Sequence, residues 1–166
     1  MSVPSRDITP TVGRMRPEEA KELNQLFGRI VGSLPYYNEA AKRSELAKYS
    51  TELLVESAEN DPDSVLVARM GDQVVGFCFS KNDDGLVWLA WFGVHPSFRR
   101  QGIGSHLLAT LEATVSNGRS HKIWCDCRTE NEASRLALIR HGYSELCTVR
   151  NHWYGQDFIL WEKLVA

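Results

Sequence analysis

A run of apolar residues ends in the stretch VHPSFRRQGIGS, residues 94–105, and a helical pattern begins within it. The stretch places two adjacent arginines before two glycines at the predicted helix start. Backbone N–H groups at a helix start lack intrahelical acceptors and carry partial positive charge, so they bind anions. Glycine lets a phosphate approach the backbone closely, and Arg99 and Arg100 add positive charge. The stretch therefore predicts a site for a multiply charged phosphate ligand.

Two common phosphate-binding loops do not fit this stretch. The nucleoside triphosphate loop requires Gly-Lys followed by Ser or Thr, whereas this chain has Gly-Ile-Gly-Ser at residues 102–105. The dinucleotide fingerprint requires a third glycine where Leu107 stands. Asp126 lies near the distance of that fingerprint's acidic residue, but one matching element is weak support. Tight helix packing is the alternative explanation for the two glycines.

Hydrophobic periodicity predicts the elements around this stretch. Strands at residues 64–70, 73–80 and 86–94 are separated by short Gly- and Asp-containing turns, which predicts an antiparallel meander. A helix at 103–115 then leads to a strand at 122–127, and such a crossover is right-handed. The fold class is therefore α/β (α+β), with a mixed central sheet and helices on both faces. The remaining predictions are helices at 16–30, 38–58 and 131–141 and strands at 11–15, 143–149 and 158–165.

The composition limits the classes of function. The 166 residues are 43% hydrophobic, which indicates a globular domain, and the net charge of −2 gives no reason to expect binding to nucleic acid or to an anionic membrane. No apolar run approaches the roughly 18–20 residues that span a bilayer. Residues 1–10 predict a flexible tail without the apolar stretch of a signal peptide, and residues 11–166 predict one domain. We expect a cytoplasmic protein.

Four cysteines, Cys78, Cys125, Cys127 and Cys147, form no Cys-x-x-Cys pair, so zinc is not expected and no metal site is predicted. Cys125 and Cys127 stand two residues apart in an apolar run and would share one face of a strand. The cysteines are therefore predicted to be free thiols in a core.

The pattern Arg99-x-x-Gly102-x-Gly104, between a strand and an amphipathic helix, resembles motif A of the GNAT superfamily of N-acetyltransferases. Val94-x-Pro96 upstream is similar to that family's Val-x-Pro. Asn131, followed eleven residues later by a Gly-Tyr pair at 142–143, is similar to its Asn…Gly-aromatic pattern. The resemblance covers residues 11–165 and implies acetyl-CoA, or a close acyl-CoA, as co-substrate.

The resemblance also implies where coenzyme A lies. Its pyrophosphate would sit on the backbone amides of residues 101–105, and its pantetheine arm would pair with the backbone of residues 92–94. This arrangement requires the strands 86–94 and 122–127 to splay apart. The Asn131 side chain would hydrogen-bond the pantetheine arm, or it would simply cap a helix. The implied cofactor-binding residues are Phe92, Gly93, Val94, Arg99, Arg100, Gln101, Gly102, Ile103, Gly104, Ser105 and Asn131.

The resemblance implies direct attack of a neutral amine on the thioester, with the acetyl oxygen stabilised by a backbone N–H near the end of strand 86–94. Many relatives carry a tyrosine four residues before the helix-ending glycine as the acid for the thiolate, and here that position is Leu138. Many also carry a glutamate base on the strand before motif A, and residues 86–92 contain no acid. Tyr154 is therefore the candidate acid, with packing in an aromatic rim as the alternative. Asp157 is the candidate base; binding of a cationic substrate and a solvated turn position are its alternatives.

The acceptor pocket is predicted from aromatic residues outside motif A. Tyr36, Tyr37 and Asn38 lie between two helices that frame the acceptor in such folds. Trp88 and Trp91 stand three apart on a strand, so they should face opposite sides, and Trp91 is the candidate for the acceptor side. The acceptor would be an amine-bearing small molecule or peptide, and a homodimer is possible. The rival functions are an acyl-CoA-binding regulatory protein without catalysis and a nucleotide-binding protein of unrelated fold.

Overall fold

The computed structural model describes residues 9–165 of the chain. Most of the tail predicted at residues 1–10 therefore lies outside the described residues. The seven strands are β1 (Thr11–Arg14), β2 (Val65–Met70), β3 (Gln73–Asp83), β4 (Leu86–Val94), β5 (Lys122–Arg128), β6 (Ser144–Val149) and β7 (Phe158–Leu164). The five helices are α1 (Ala20–Ser33), α2 (Glu39–Lys48), α3 (Thr51–Asn60), α4 (Ile103–Thr114) and α5 (Glu132–Arg140).

The strands form one mixed sheet in the order β1-β2-β3-β4-β5-β7-β6. Every neighbouring pair is antiparallel except β4 and β5, which run parallel and are joined through α4. This topology confirms the predicted meander followed by a β-α-β crossover.

Strands β4 and β5 separate after a short paired region. Their pairing runs from Val87 opposite Ile123 to Leu89 opposite Cys125, although β4 continues to Val94 and β5 to Arg128. The carboxyl-terminal half of β4 is therefore paired only with β3, and its other edge is free to pair with a ligand. The splay expected from the family resemblance is present.

A β-bulge in β4 changes which side chains share a face. Trp91 pairs with Phe79, whereas the next residue of β3, Ser80, pairs with Leu89, so Ala90 is an extra residue in the ladder. The extra residue reverses the alternation of side chains beyond it. The prediction that Trp88 and Trp91 face opposite sides is therefore wrong, and both line the same cavity.

Two hydrophobic cores lie on the two faces of the sheet. One packs α4 and α5 against the sheet and includes Leu107, Leu138 and Trp161. The other packs α1 and α3 against the opposite face around Phe27 and Phe77. Each fully buried large side chain contributes about 1.5–3 kcal/mol. These cores hold the β4–β5 splay between rigid layers.

The single helix predicted at residues 38–58 is two helices, α2 and α3. The helix is interrupted at Ser50, whose side chain caps the start of α3 by accepting a hydrogen bond from Leu53 N at 3.3 Å. Tyr49 leaves the helical conformation and stacks on Phe79, with ring centroids 4.7 Å apart. The break turns the Tyr49 ring into the core beside the cavity.

Three of the four cysteines are buried free thiols, as predicted: Cys78, Cys125 and Cys127. Cys147 is exposed, which corrects the expectation of a core position. It lies on β6, an edge strand of the sheet, and most of that strand is exposed. Within residues 9–165 the structure places no three His, Cys, Asp or Glu side chains together in a metal-binding group, and no helix there is long and apolar enough to cross a membrane.

Candidate active site

The start of α4 has the geometry of an anion site. The glycine before the helix, Gly102, has φ +77°, a left-handed conformation that glycine adopts at least cost. The first intrahelical bond runs from His106 N to the Gly102 carbonyl at 3.0 Å. The amides of Ile103, Gly104 and Ser105 precede that bond and have no acceptor within the helix. They are therefore available to an anionic ligand.

The glycines of this segment are needed for different structural reasons. A Cβ at Gly104 would have one protein neighbour within 4 Å, Val94 Cγ2 at 3.8 Å, and one at Gly102 would have none. Protein packing therefore does not account for Gly104, and the space above it is open to a ligand. A Cβ at Gly93 would lie 2.8 Å from Phe77 Cζ, so that glycine is required by core packing.

The other residues predicted to hold coenzyme A surround the same helix start. Arg99 and Arg100 are exposed, and Arg99 Nε donates to the Val94 carbonyl at 3.3 Å. The Ile103 side chain is buried in the core, so that residue offers only its amide. Phe92 packs against the core on the α4 face. The segment around α4 thus offers a charged rim and a row of free amides.

Asn131 caps α5, because its Oδ1 accepts a hydrogen bond from Ser134 N at 3.1 Å. Its Nδ2 group remains available as a donor. Leu138, at the position where many relatives carry a tyrosine, is buried in the core with 1% exposure. The proton donor of those relatives therefore has no counterpart on α5.

A cavity of about 730 Å³ lies on the opposite face of the sheet, between the strands and helices α2 and α3. Its lining includes Ala90 and Trp91 of β4 and Asp126 of β5, which follow the last paired residues of the two strands. The cavity therefore reaches the splay. Its aromatic lining includes Tyr37, Tyr49, Trp88, Trp91, Trp124 and Trp153.

The predicted acceptor residues divide into two groups. Tyr37 and Trp91 line the cavity, with ring centroids 5.6 Å apart. Tyr36 and Asn38 do not line it. Asn38 caps α2 by accepting from Ala41 N at 2.9 Å, and the Tyr36 carbonyl accepts hydrogen bonds from residues of β5 and of the β6–β7 connection. These two residues support the wall of the cavity.

The connection between β6 and β7, residues 150–157, forms a strap beside the cavity. Tyr154, a predicted catalytic residue, lines the cavity, and its Oη lies 2.8 Å from Ser44 Oγ and 2.9 Å from Glu45 Oε1. Asp157, the other predicted catalytic residue, does not line the cavity. Its Oδ1 accepts a hydrogen bond from Asn151 N at 2.8 Å, so the carboxylate holds the strap.

Asp126 is an active-site candidate that the sequence patterns did not predict. Its neighbours on β5, Cys125 and Cys127, face the core, whereas Asp126 and Trp124 line the cavity. Burial raises the pKa of Asp126 to about 6, although the hydrogen bond from Trp153 Nε1 at 2.8 Å lowers it. Strand alternation with two buried cysteines was the signal that could have identified this carboxylate.

A second carboxylate, Glu45, lies in this part of the cavity, and both of its oxygens already have hydrogen-bond partners within the protein. Its Oε2 accepts from Trp91 Nε1 at 3.0 Å, and its Oε1 accepts from Lys48 Nζ at 2.9 Å and contacts Tyr154 Oη. Glu45 therefore positions aromatic side chains, whereas Asp126 retains one oxygen, Oδ1, for a ligand.

Comparison with known proteins identifies the family. The sequence profile of the acetyltransferase (GNAT) family matches residues 29–143. An acetyltransferase of Pectobacterium atrosepticum is 34% identical over 74 residues, which are 45% of this chain and 52% of that protein. The chain therefore spans about half the length of the curated relatives it matches.

Two solved structures show the same fold. The PaiA N-acetyltransferase of Thermoplasma acidophilum, in complex with coenzyme A, has a TM-score of 0.77 at 19% identity and covers 94% of this chain and 99% of its own. A ribosomal-protein-alanine N-acetyltransferase of Brucella melitensis has a TM-score of 0.75 at 22% identity and covers 93% and 99%. Together with the family match over residues 29–143, the shared fold shows that this chain belongs to the GNAT family of acetyltransferases.

Proposed function

We propose that the protein is an acetyl-CoA-dependent N-acetyltransferase that acts on a primary amine bound in the 730 Å³ cavity. One observation supports this proposal above the others. The splay of β4 and β5 lies between the free amides of α4 on one face and a cavity with a half-buried carboxylate on the other. A thioester entering through the splay would meet an amine beside Asp126.

The residues around α4 fit coenzyme A. The amides of residues 101–105 would bind its pyrophosphate, with Arg99 and Arg100 beside them. The unpaired edge of β4 at residues 92–94 would pair with the amides of the pantetheine arm, and Asn131 Nδ2 would donate to it. When bound, acetyl-CoA supplies an acetyl group activated as a thioester.

Asp126 is the proposed general base. An amine enters as an ammonium ion, and the ionised carboxylate at Oδ1 accepts one of its protons to leave a nucleophilic lone pair. The amine nitrogen then bonds to the acetyl carbon while the carbon–sulfur bond breaks, and its second proton ends on the thiol. A pKa of about 6 keeps Asp126 ionised at neutral pH and still basic enough to accept a proton. Burial in the cavity raises the pKa of Asp126, and the raised pKa makes the carboxylate a better proton acceptor.

Tyr154 is the proposed proton relay for the departing thiolate: its hydroxyl would give its proton to the sulfur and take the second proton of the amine. Its hydroxyl is held by Ser44, Glu45 and Lys48 at the cavity wall. A thiol pKa near 8.5 makes the thiolate a tolerable leaving group without an acid, so we expect Tyr154→Phe to lower the rate by less than about tenfold. Asp157 holds the strap through Asn151, and we propose that role for it instead of base catalysis.

A regulatory protein that binds acyl-CoA without catalysis is the second candidate, favoured by the buried Leu138 in place of an acid. The two candidates differ in turnover. Purified protein would be incubated with acetyl-CoA and a panel of amines, with thiol release followed spectroscopically and the acetylated amine identified by mass spectrometry. Release of one thiol per acetylated amine supports the enzyme. Binding of coenzyme A with no acetylated product from any amine supports the regulatory protein.

A further inference from the structure

We propose that the acceptor is a small primary amine with one cationic group on a planar aromatic body, and neither a polyamine nor a peptide N-terminus. This inference rests on the proposed function, because it names the class of amine that the cavity would accept. Three features of the cavity carry it: its aromatic walls, the balance of its charges and the strap across it.

Three indole rings, those of Trp88, Trp91 and Trp124, form part of the floor of the cavity. Trp88 and Trp124, on neighbouring strands, pack edge to face with ring centroids 4.7 Å apart. The bulge at Ala90 brings Trp91 to the same side, where it packs against Tyr37. Aromatic rings favour offset or edge-to-face contact with a further aromatic ring. The floor therefore provides apolar ring faces and edges against which a planar aromatic ligand can pack.

The charges of the cavity provide for one ammonium group. Glu45 is paired with Lys48, and Asp61 forms an ion pair with Arg119 at 2.7 Å. Asp126 forms no ion pair with a residue of the cavity wall: its hydrogen bond comes from the neutral Trp153 indole, and Lys48, which lowers its pKa from a distance, is paired with Glu45. A ligand cation placed at Asp126 Oδ1 would lie at the splay, where the amine must react.

The far end of the cavity does not offer a second anionic site. Asp83 lines it, but Lys81 lines the same end two residues earlier on β3 and supplies the opposite charge. Asp61 lines the cavity beside Asn60, but its charge is balanced by Arg119, and Ser57, Asn60 and Asn82 are neutral. A second ammonium group of a polyamine would therefore gain little at this end, whereas a hydroxyl substituent could hydrogen-bond there.

The strap limits the length of the ligand. Trp153 donates to Asp126, and Tyr154 bonds to Ser44 and Glu45 of α2, so the strap bridges β5 and α2 beside the reactive end. A volume of about 730 Å³ lies in the range of small-molecule sites, roughly 300–1,000 Å³. A peptide would need an exit for its chain next to the reacting nitrogen, where the strap lies.

The test compares three amines in the full chain: 2-phenylethylamine, 1,4-diaminobutane and a hexapeptide with an N-terminal alanine. The kcat/KM for each is measured by thiol release with acetyl-CoA. Binding is measured separately, without turnover, as the change in tryptophan emission when each amine is titrated into protein saturated with coenzyme A. Four of the five tryptophans line the cavity, so a bound amine must alter this signal.

We expect kcat/KM for 2-phenylethylamine to exceed that of the other two amines at least tenfold, which corresponds to 1.4 kcal/mol. Trp88→Leu should remove most of this preference. The control Leu164→Ala, at an exposed position that does not line the cavity, should keep it. Thermal unfolding shows whether each variant is folded, and Trp124→Leu is the second variant if Trp88→Leu is not.

The inference is overturned if 1,4-diaminobutane or the peptide is the better substrate while turnover persists, and the proposed function then stands. If no amine is acetylated, the proposed function fails, and the emission titration decides the inference by itself. A saturable change with 2-phenylethylamine alone would retain the aromatic ligand class. The absence of any change with that amine would reject it.

Discussion

Replacing Asp126 by asparagine should lower activity and raise stability at the same time. Burial raises the pKa of Asp126 from 3.8 to about 6 in the folded protein. The folded state therefore binds this proton more tightly than the unfolded state does, and stability falls as pH rises from about 4 to about 6. Above pH 6 the ionised carboxylate costs about 3 kcal/mol of folding free energy.

Asp126→Asn removes this cost and keeps an oxygen that accepts the Trp153 hydrogen bond. At pH 8 the free energy of unfolding should rise by up to about 3 kcal/mol, and the melting temperature by up to roughly 10 °C. The gain should vanish below about pH 4, where wild-type Asp126 is protonated in both states. Thermal unfolding followed by circular dichroism between pH 4 and pH 8 measures both effects.

The same substitution removes the proposed base, so kcat/KM for amine acetylation should fall about 100-fold or more at pH 7.5. The wild-type rate should rise as pH passes through about 6, and the variant should lack this rise. Asp83→Asn is the matched control, because Asp83 lines the same cavity at its far end. A variant that acetylates within threefold of wild type, or that is less stable at pH 8, would refute the assignment of Asp126.

Further substitutions test the separate parts of the site. Trp153→Phe removes the hydrogen bond that lowers the pKa of Asp126, so the rise in kcat/KM should shift above pH 6. Gly104→Ala should weaken coenzyme A binding about tenfold in a calorimetric titration, because the added Cβ would occupy space that the ligand needs. The melting temperature without ligand should stay equal or rise, because alanine favours the helix more than glycine does. Gly93→Ala should lower the free energy of unfolding by about 1–3 kcal/mol in urea, because its Cβ would lie 2.8 Å from Phe77 Cζ.

The sequence predicted the elements that local patterns determine. The glycines at 102 and 104, after two arginines, predicted the start of α4 and its free amides, and the structure has both. The turn residues between β2, β3 and β4 predicted the meander. These features depend on residues close in the chain, and so a single sequence is enough to find them.

The missed features depend on contacts between distant parts of the chain. The bulge at Ala90 is set by the register of β4 against β3, and it reverses the facing of Trp91. The break between α2 and α3 combines the local cap by Ser50 with the stacking of Tyr49 on the distant Phe79. Asp126 acquires its raised pKa from burial in the cavity, and the hydrogen bond from Trp153 reduces that rise. Hydrophobic periodicity along the chain does not predict the bulge, the helix break or the raised pKa of Asp126.

The most direct test of the central claim is thermal melting of the wild-type protein with acetyl-CoA, coenzyme A, NAD and ATP at equal concentration. A ligand at 100 times its dissociation constant stabilises the folded state by about 2.7 kcal/mol. We expect the melting temperature to rise by several degrees with acetyl-CoA and coenzyme A, with no comparable rise with NAD or ATP. If the protein is folded and its melting temperature does not change with acetyl-CoA or coenzyme A, the assignment of residues 99–105 as the acetyl-CoA site is contradicted.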